Sequence, residues 1–589
     1  MKRAPLAAIL DLVAIATVVA LAIVGLRADN DQDGHFHFIP NSLVVTRSVY
    51  VGRADTVTIG ETLPPGCAGG PNGTTTVAVP TTTPAVSLGV SVTCGIASDN
   101  GEAPNLNDSH NVWNNSASDG SFGITSPIFL DDITPQGRLL GTLPIPSHQI
   151  VTSFSSKSEL ALNLSVDGKS LTFMGYVGGP GCPAITYVNG VGTQGNTPGP
   201  ISPTAPNLID VSASSTPGIC DPTNSVISSF VSNPVVPTAY YRAVAEVDAD
   251  GHISITPGNA YSGDNGRAVK TGGNGLYYMA GNDNSGNLGK KQLPITPIGI
   301  DLINATGAEL LVPHQLPPLP PNIGMIGRFV LPGDKPGKDT NFRGLTIFDN
   351  TLYVSKGSGG NGINSVYLVG TPGTLPTGSA ADLAKVPLGP QTILPGFPNT
   401  TASTNPGGAF PFGMFFANAN TLYVCDEGDG VSVKPPLNGN VEDSTSLATA
   451  GVQKWVLQNG TWVRIYVLQD GLKLGVPYSV ANYPASLNPA TGGCRNMTGR
   501  VNEDGTVTIW AITSTLSANG DQGADPNKIV KVTDLLSATT LPTSDGLGHF
   551  ETVRSARAGE VLRGVAFAPS DRPGGDDRDH RDLGGDDKR

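Results

Sequence analysis

Four arginines recur at one register of a repeated pattern, each followed by a small residue and then an aliphatic one. They open the triplets Arg267-Ala268-Val269, Arg343-Gly344-Leu345, Arg495-Asn496-Met497 and Arg563-Gly564-Val565. Guanidinium groups gathered into a ring would hold an anion through paired, charge-assisted hydrogen bonds. The competing reading is structural. Three of the arginines follow an acid by three or four residues, namely Asp264, Asp339 and Glu560. Local ion pairs, or hydrogen bonds to carbonyls of neighbouring repeats, would occupy the same donors.

Other candidates are less specific. Lys356 precedes a glycine-rich stretch, 357–362, that superficially resembles a phosphate loop. A true phosphate loop opens a helix, whose N-terminus binds the anion. Here 363–369 reads as a strand, which favours a long hairpin loop with Lys356 as a further ligand candidate. Asp29, Asp31 and Asp33, followed by Gly34, match the start of a calcium loop. Its twelfth position should be a bidentate glutamate but is Pro40, so calcium would need ligands from elsewhere. The alternative is a solvated N-terminus. The loop 517–525 adds Asp521 and Asp525 with equally little specificity. No G-x-S-x-G elbow or H-E-x-x-H motif occurs and the eight histidines are scattered, so no catalytic residue is nominated.

The elements that must position these residues are short strands. Six copies of the pattern begin at Leu160, Arg267, Arg343, Phe412, Arg495 and Arg563. Tight turns follow at Asp167-Gly168, Asn274-Gly275, Asn350-Thr351, Asn420-Thr421 and Asp504-Gly505. Asp-Gly and Asn-Gly tolerate the positive φ that two-residue hairpins require. Second strands then run over 171–174, 276–279, 352–355, 422–425 and 507–510. Several copies continue into another hairpin, most clearly 452–457, a turn at Asn459-Gly460, and 462–467. Another runs 240–247, Asp250-Gly251, 252–255. Two hairpins make a four-stranded antiparallel blade, and radial repetition of blades makes a propeller.

The fold expected is therefore all-β, a single six-bladed β-propeller of four-stranded antiparallel blades. Seven blades is the alternative, if the stretch between Ser48 and Ser126 hides divergent strands. The sixth copy has no second strand after it, because a polar tail follows. The N-terminus offers unpaired strands at 42–49, 128–130 and 138–143, so the last strand should complete a blade with them. Such closure removes exposed edges.

Composition agrees with this organisation. The chain has 589 residues, with 75 glycines, 49 prolines and 38% apolar residues. Lys2 and Arg3 precede an uncharged apolar run, 12–26, shorter than the about 20 residues of a membrane span. Residues 1–28 thus read as a signal peptide or, alternatively, an uncleaved anchor. A flexible acidic segment (29–41), the propeller (42–569) and a disordered charged tail (570–589) follow. Long insertions fall at about 50–125, 177–238 and 311–340, the last containing a polyproline stretch, 313–321. Six cysteines fit an oxidising compartment, and their spacing suggests Cys67 with Cys94, Cys182 with Cys220, and Cys425 with Cys494. A net charge of −13 argues against nucleic acid.

Three stretches, 152–162, 341–345 with 355–362, and 520–528, resemble a family of secreted, mostly uncharacterised microbial β-propeller proteins. The similarity spans roughly 42–569 and implies the fold and export, but no activity. The function expected is non-catalytic binding on the channel face, with a small anionic ligand or an extracellular protein or polysaccharide as partner. The chain would be a secreted, periplasmic or surface monomer, touching a membrane only through an uncleaved N-terminus. No cofactor is required, calcium being the one alternative. A secreted metal-dependent hydrolase of lactonase or phosphoesterase type, with its site in the channel, is the second reading. A structural cell-envelope protein is the third.

Overall fold

The computed structural model describes residues 36–49, 127–146, 150–152, 158–175, 243–256, 266–273, 275–281, 342–357, 363–375, 393–400, 409–428, 448–483, 485, 488–516, 523, 525–542 and 546–570 in full. It describes the backbone alone at the ends of some of these segments and in several further strands, such as Gly299–Asn304 and Met325–Val330. The signal segment, Asp29, Asp31 and Asp33, four of the cysteines, the polyproline stretch and the charged tail beyond Ser570 lie outside the described residues.

The described structure is all-β, built from antiparallel sheets set around a ring in the arrangement of a β-propeller. Each blade begins with one copy of the repeat. Gly266–Thr271, Leu276–Gly281, Gly299–Asn304 and Met325–Val330 form the Arg267 blade. Phe342–Phe348, Thr351–Lys356 and Ser365–Val369 form the Arg343 blade. The Phe412 blade runs Pro411–Asn418, Thr421–Asp426, Gly451–Gln458, Thr461–Leu468. The Arg495 blade runs Ala490–Val501, Thr506–Leu516, Lys528–Leu535, Glu551–Ser555. All five second strands expected from the sequence are present.

The two ends of the chain meet as anticipated. Glu560–Phe567 pairs antiparallel with Leu43–Val49, from Leu43↔Phe567 to Val49↔Glu560. Ile128–Ile133 and Leu139–Pro144 complete that Arg563 blade. The blade count is corrected. Five blades are delimited, not six or seven, and the ring is not closed among the described residues. The Leu160 copy is the reason. Its sheet contains Ser170–Val177, Arg242–Asp248 and Ile253–Gly258, but its innermost strand is only Asn163–Leu164. Leu160 itself sits at φ 62°, a left-handed conformation that bends the chain where the other copies run extended.

Two of the expected turns shift by one residue. Phe348 pairs with Thr351, so Asp349 and Asn350, both at positive φ, form the turn. Asn418 likewise pairs with Thr421 around Ala419-Asn420. In the first of these turns, two residues of positive φ match the right-handed twist of the flanking strands.

Blades are held face to face by apolar side chains. Second strands are buried on both faces, as in Thr421–Asp426, where every residue is buried. Outer strands such as Thr461–Leu468 show exposed positions. Inner strands approach so closely that only glycine fits at some places. A Cβ on Gly344 would lie 2.0 Å from the Phe412 carbonyl oxygen, and one on Gly413 would lie 2.5 Å from that of Arg495. This is why the residue after the arginine register is small. Cys425 and Cys494 form a disulfide with Cα atoms 5.3 Å apart, joining the Phe412 and Arg495 blades as the register required.

Candidate functional site at the centre of the ring

The first strands share an irregularity at one register. In the Arg267 blade pairing passes from Gly266 to Ala268, leaving Arg267 out of the ladder. It passes from Phe342 to Leu345, from Pro411 to Met414, and from Cys494 to Met497 in the next three blades. In the Arg563 blade it passes from Gly564 to Leu562, skipping Arg563. A β-bulge bends its strand and re-aims the extra residue's side chain. The first strands are also the ones that contact one another around the ring. Bulge and position together turn the arginines towards the middle, with Phe412 in the register where an arginine is missing.

All four arginines are buried, each about 5% exposed or less. Arg343 Nη1 lies 3.2 Å from Glu427 Oε1, and Arg495 Nε donates to Glu427 Oε2 at 3.0 Å. One carboxylate therefore bridges two blades. Arg267 Nε donates to Ser158 Oγ at 2.7 Å and its Nη1 to the Phe342 carbonyl at 3.0 Å. Arg563 Nε donates to Ser48 Oγ at 3.1 Å. The Arg343 guanidinium also lies 5.8 Å from the centre of the Phe412 ring, which offers it a π face.

Glu159, next to Ser158, is also buried and accepts a hydrogen bond from Thr152. It acts on Arg563, whose pKa is lowered to about 9. Burial is the main cause, and Arg495 pushes the same way while Glu159 opposes both. Glu159, Arg563, Arg495, Glu427, Arg343 and Arg267 thus form one continuous constellation. Lys356 is buried at the end of its strand, cross-strand from Phe342.

Behind Glu427, Asp426 is fully buried, accepting from Phe410 N, Gly428 N and Gln453 Nε2. Burial, reinforced by the charge of Glu427, raises its pKa to about 6. The folded protein thus binds more protons than the unfolded chain between pH 3.8 and about 6. Stability from this group is present below that window and lost as pH rises through it. Thermal unfolding of wild type and Asp426→Asn across the window is expected to show that contribution only in wild type. Equal slopes would mean Asp426 titrates normally.

Of the structural partners weighed from sequence, the carbonyl of a neighbouring blade is realised by Arg267, which donates to Phe342 O, whereas the one local ion pair that falls on described residues does not form. Glu560 pairs with Arg47, at 3.1 Å, and not with Arg563. Arg563 is the bulged residue of its strand, so its side chain is re-aimed to Ser48 Oγ. Asp264 and Asp339 lie outside the described residues. Asp525 accepts a hydrogen bond from Tyr483 Oη. Next to it, Asn527 bonds Leu562 N and the carbonyls of Thr513 and Leu562, tying the Arg495 blade to Glu560–Phe567. That gives Asp525 and Asn527 a structural role. Residues 358–362 lie outside the described residues, while Ser365–Val369 is a strand as expected. Among the described residues, no group of three or more His, Cys, Asp and Glu side chains is arranged to hold a metal ion.

Sequence reasoning missed Glu159 and Glu427. Glu427 leaves the second strand two residues after Cys425, and its partners are 68 residues away in the case of Arg495. The one signal was the disulfide register, which brings 425–427 beside 494–495.

Fold and site define a ring of antiparallel blades with a cationic, carboxylate-bridged centre. No protein-family model matches the sequence, and no curated protein is similar to it. Among solved structures, the chain is similar to an endo-arabinase from Bacteroides thetaiotaomicron. The identity is 12%, covering 48% of this chain and 77% of that one, with a TM-score of 0.23. It is also similar to a computationally designed protein at 8% identity, covering 55% and 90%, with a TM-score of 0.18. At such scores the fold assignment rests on the strand pairing alone.

Proposed function

We propose that this protein is an exported β-propeller that binds a small anionic ligand at the centre of its ring without transforming it. The observation that carries this reading is the convergence of Arg267, Arg343, Arg495 and Arg563 on one buried constellation containing two glutamates. A cationic excess away from water is a strong attractant for an anion, because screening there is weak.

The Leu160 copy is read as an irregular member of the ring, outside the five delimited blades. Three contacts favour this. Thr46 Oγ1 donates to the Leu160 carbonyl at 2.8 Å, and Ala161 N donates to the Arg267 carbonyl at 3.3 Å. A Cβ on Gly564 would meet Leu162 N at 2.3 Å. The segment therefore sits between Glu560–Phe567 and Gly266–Thr271, where a first strand belongs. Export is supported by the N-terminal sequence and the Cys425–Cys494 bridge. Mass spectrometry of the mature N-terminus tests it.

For binding, calorimetric titration with sulfate is expected to show saturable uptake by wild type. Arg343→Ala together with Arg495→Ala should weaken it by about a hundredfold or more, since charge-assisted hydrogen bonds contribute about 1.5–3 kcal/mol each. Unchanged affinity in a folded double variant would defeat the reading.

A further inference from the structure

One carboxylate gathers three strand ends of the Phe412 blade. Asp426 closes the second strand, and its side chain is fully buried. Its Oδ2 accepts from Phe410 N at 2.9 Å and from Gln453 Nε2 at 2.7 Å, and its Oδ1 accepts from Gly428 N at 2.9 Å. The Thr449 hydroxyl bonds the same carboxylate, and Gln453 Nε2 also donates to the Thr449 carbonyl. The stretches 410–411, 426–428 and 449–453 are thus pinned at one point.

The first stretch depends on that pin. Ladder pairing is interrupted between Pro411 and Met414, so the strand end is held through Pro411↔Asp426 and two bonds beside it. Glu427 N donates to the Phe410 carbonyl at 3.1 Å, and Phe410 N donates to the Asp426 carboxylate. Glu427 in turn bridges Arg343 and Arg495, and its carbonyl accepts from Ser514 Oγ at 2.7 Å. Movement at the pin therefore reaches the arginines of two neighbouring blades.

The first and third strands face Asp426 with the uncharged groups of Phe410, Thr449 and Gln453. Among the described residues the charged group acting on it is Glu427, which links it to Arg343 and Arg495. A carboxylate buried beside another carboxylate holds a proton more tightly than it does in water. A local opening that hydrates Asp426 must give that extra affinity up, so opening is opposed in acid and eased as pH rises.

We propose that Asp426 is a proton-operated latch. Protonated, it keeps the Glu427 end of the Phe412 blade shut; ionised, it lets that end open locally while the rest of the ring stays folded. The folded group titrates at about 6 and the hydrated one at 3.8. Opening should therefore become about tenfold more frequent between pH 5 and pH 7, and level off above that.

Hydrogen–deuterium exchange with mass spectrometry, corrected for the intrinsic pH dependence of amide exchange, reads the opening directly. In wild type, peptides covering 410–411, 426–428 and 449–453 are expected to exchange about tenfold faster at pH 7 than at pH 5. Peptides from Leu276–Gly281, in another blade, should show no such rise. Asp426→Asn should abolish it in the pinned segments. Flat exchange in wild type, or a rise retained in Asp426→Asn, overturns the latch. An equal rise in Leu276–Gly281 also overturns it, because the opening is then global unfolding. If Asp426→Asn does not fold, the wild-type profile decides. Levelling above about pH 6–7 supports the latch, and a rise continuing to about pH 8 overturns it.

Discussion

Asp534→Ala is expected to destabilise the protein by about 3–5 kcal/mol, because it strands a buried ammonium between two blades. Lys454 Nζ lies 3.0 Å from Asp534 Oδ2, and both side chains are 0% exposed. Tyr423 Oη donates to the same carboxylate at 2.6 Å, and Tyr466 Oη donates to it at 2.8 Å. Lys454 also donates to the carbonyls of Leu535 and Ala538. Four side chains from the Phe412 and Arg495 blades thus share one buried charge. Burial lowers the Lys454 pKa against the opposing pull of Asp534, and burial beside that carboxylate raises both tyrosines. Removing the acid leaves the lysine and two hydroxyls with less to satisfy them. Denaturant unfolding measures the loss. Lys454→Met combined with Asp534→Leu should recover much of it, since apolar replacement of a whole buried pair is often neutral. A single-variant loss below about 1 kcal/mol would mean water reaches the cluster.

That cluster illustrates what was legible in the chain. The blades were, because each is local: a strand, a tight turn, and a second strand within a few residues. Asn459-Gly460 and Asp504-Gly505 announce their hairpins by residue type alone. The arginine register was also legible, since a bulge followed by a small residue repeats wherever inner strands crowd together. The partners of those arginines were not. Glu427, Ser158 and Asp534 meet their partners across blade boundaries, and no short-range pattern records a contact between strands of different sheets. Glu560 shows the opposite error, a plausible neighbour in sequence whose side chain turns to Arg47. The blade count failed for a related reason. The Leu160 copy carries the small and aliphatic residues of the pattern, yet its left-handed residue interrupts the strand that the pattern implied.

The Cys425–Cys494 bridge is where fold and site meet, and its removal should affect both. Cys425 stands two residues before Glu427, and Cys494 directly before Arg495, so one covalent link holds the two halves of the 3.0 Å ion pair in place. The bridged positions are 69 residues apart, and closing a loop of that length is worth about 4 kcal/mol on the chain-entropy account. The double variant Cys425→Ser, Cys494→Ser is therefore expected to lose about 2–5 kcal/mol of stability. It should also bind sulfate about three- to tenfold more weakly even where it remains folded. The loss would be one of preorganisation: arginines free to sample other arrangements must be ordered by the ligand itself. The two effects are separable by measurement. Denaturant unfolding reads the first, and calorimetry well below the unfolding temperature reads the second. Lower stability with unaltered sulfate affinity would make the bridge a staple between blades, and the geometry of the centre would then be held by the bulges and glycine contacts alone.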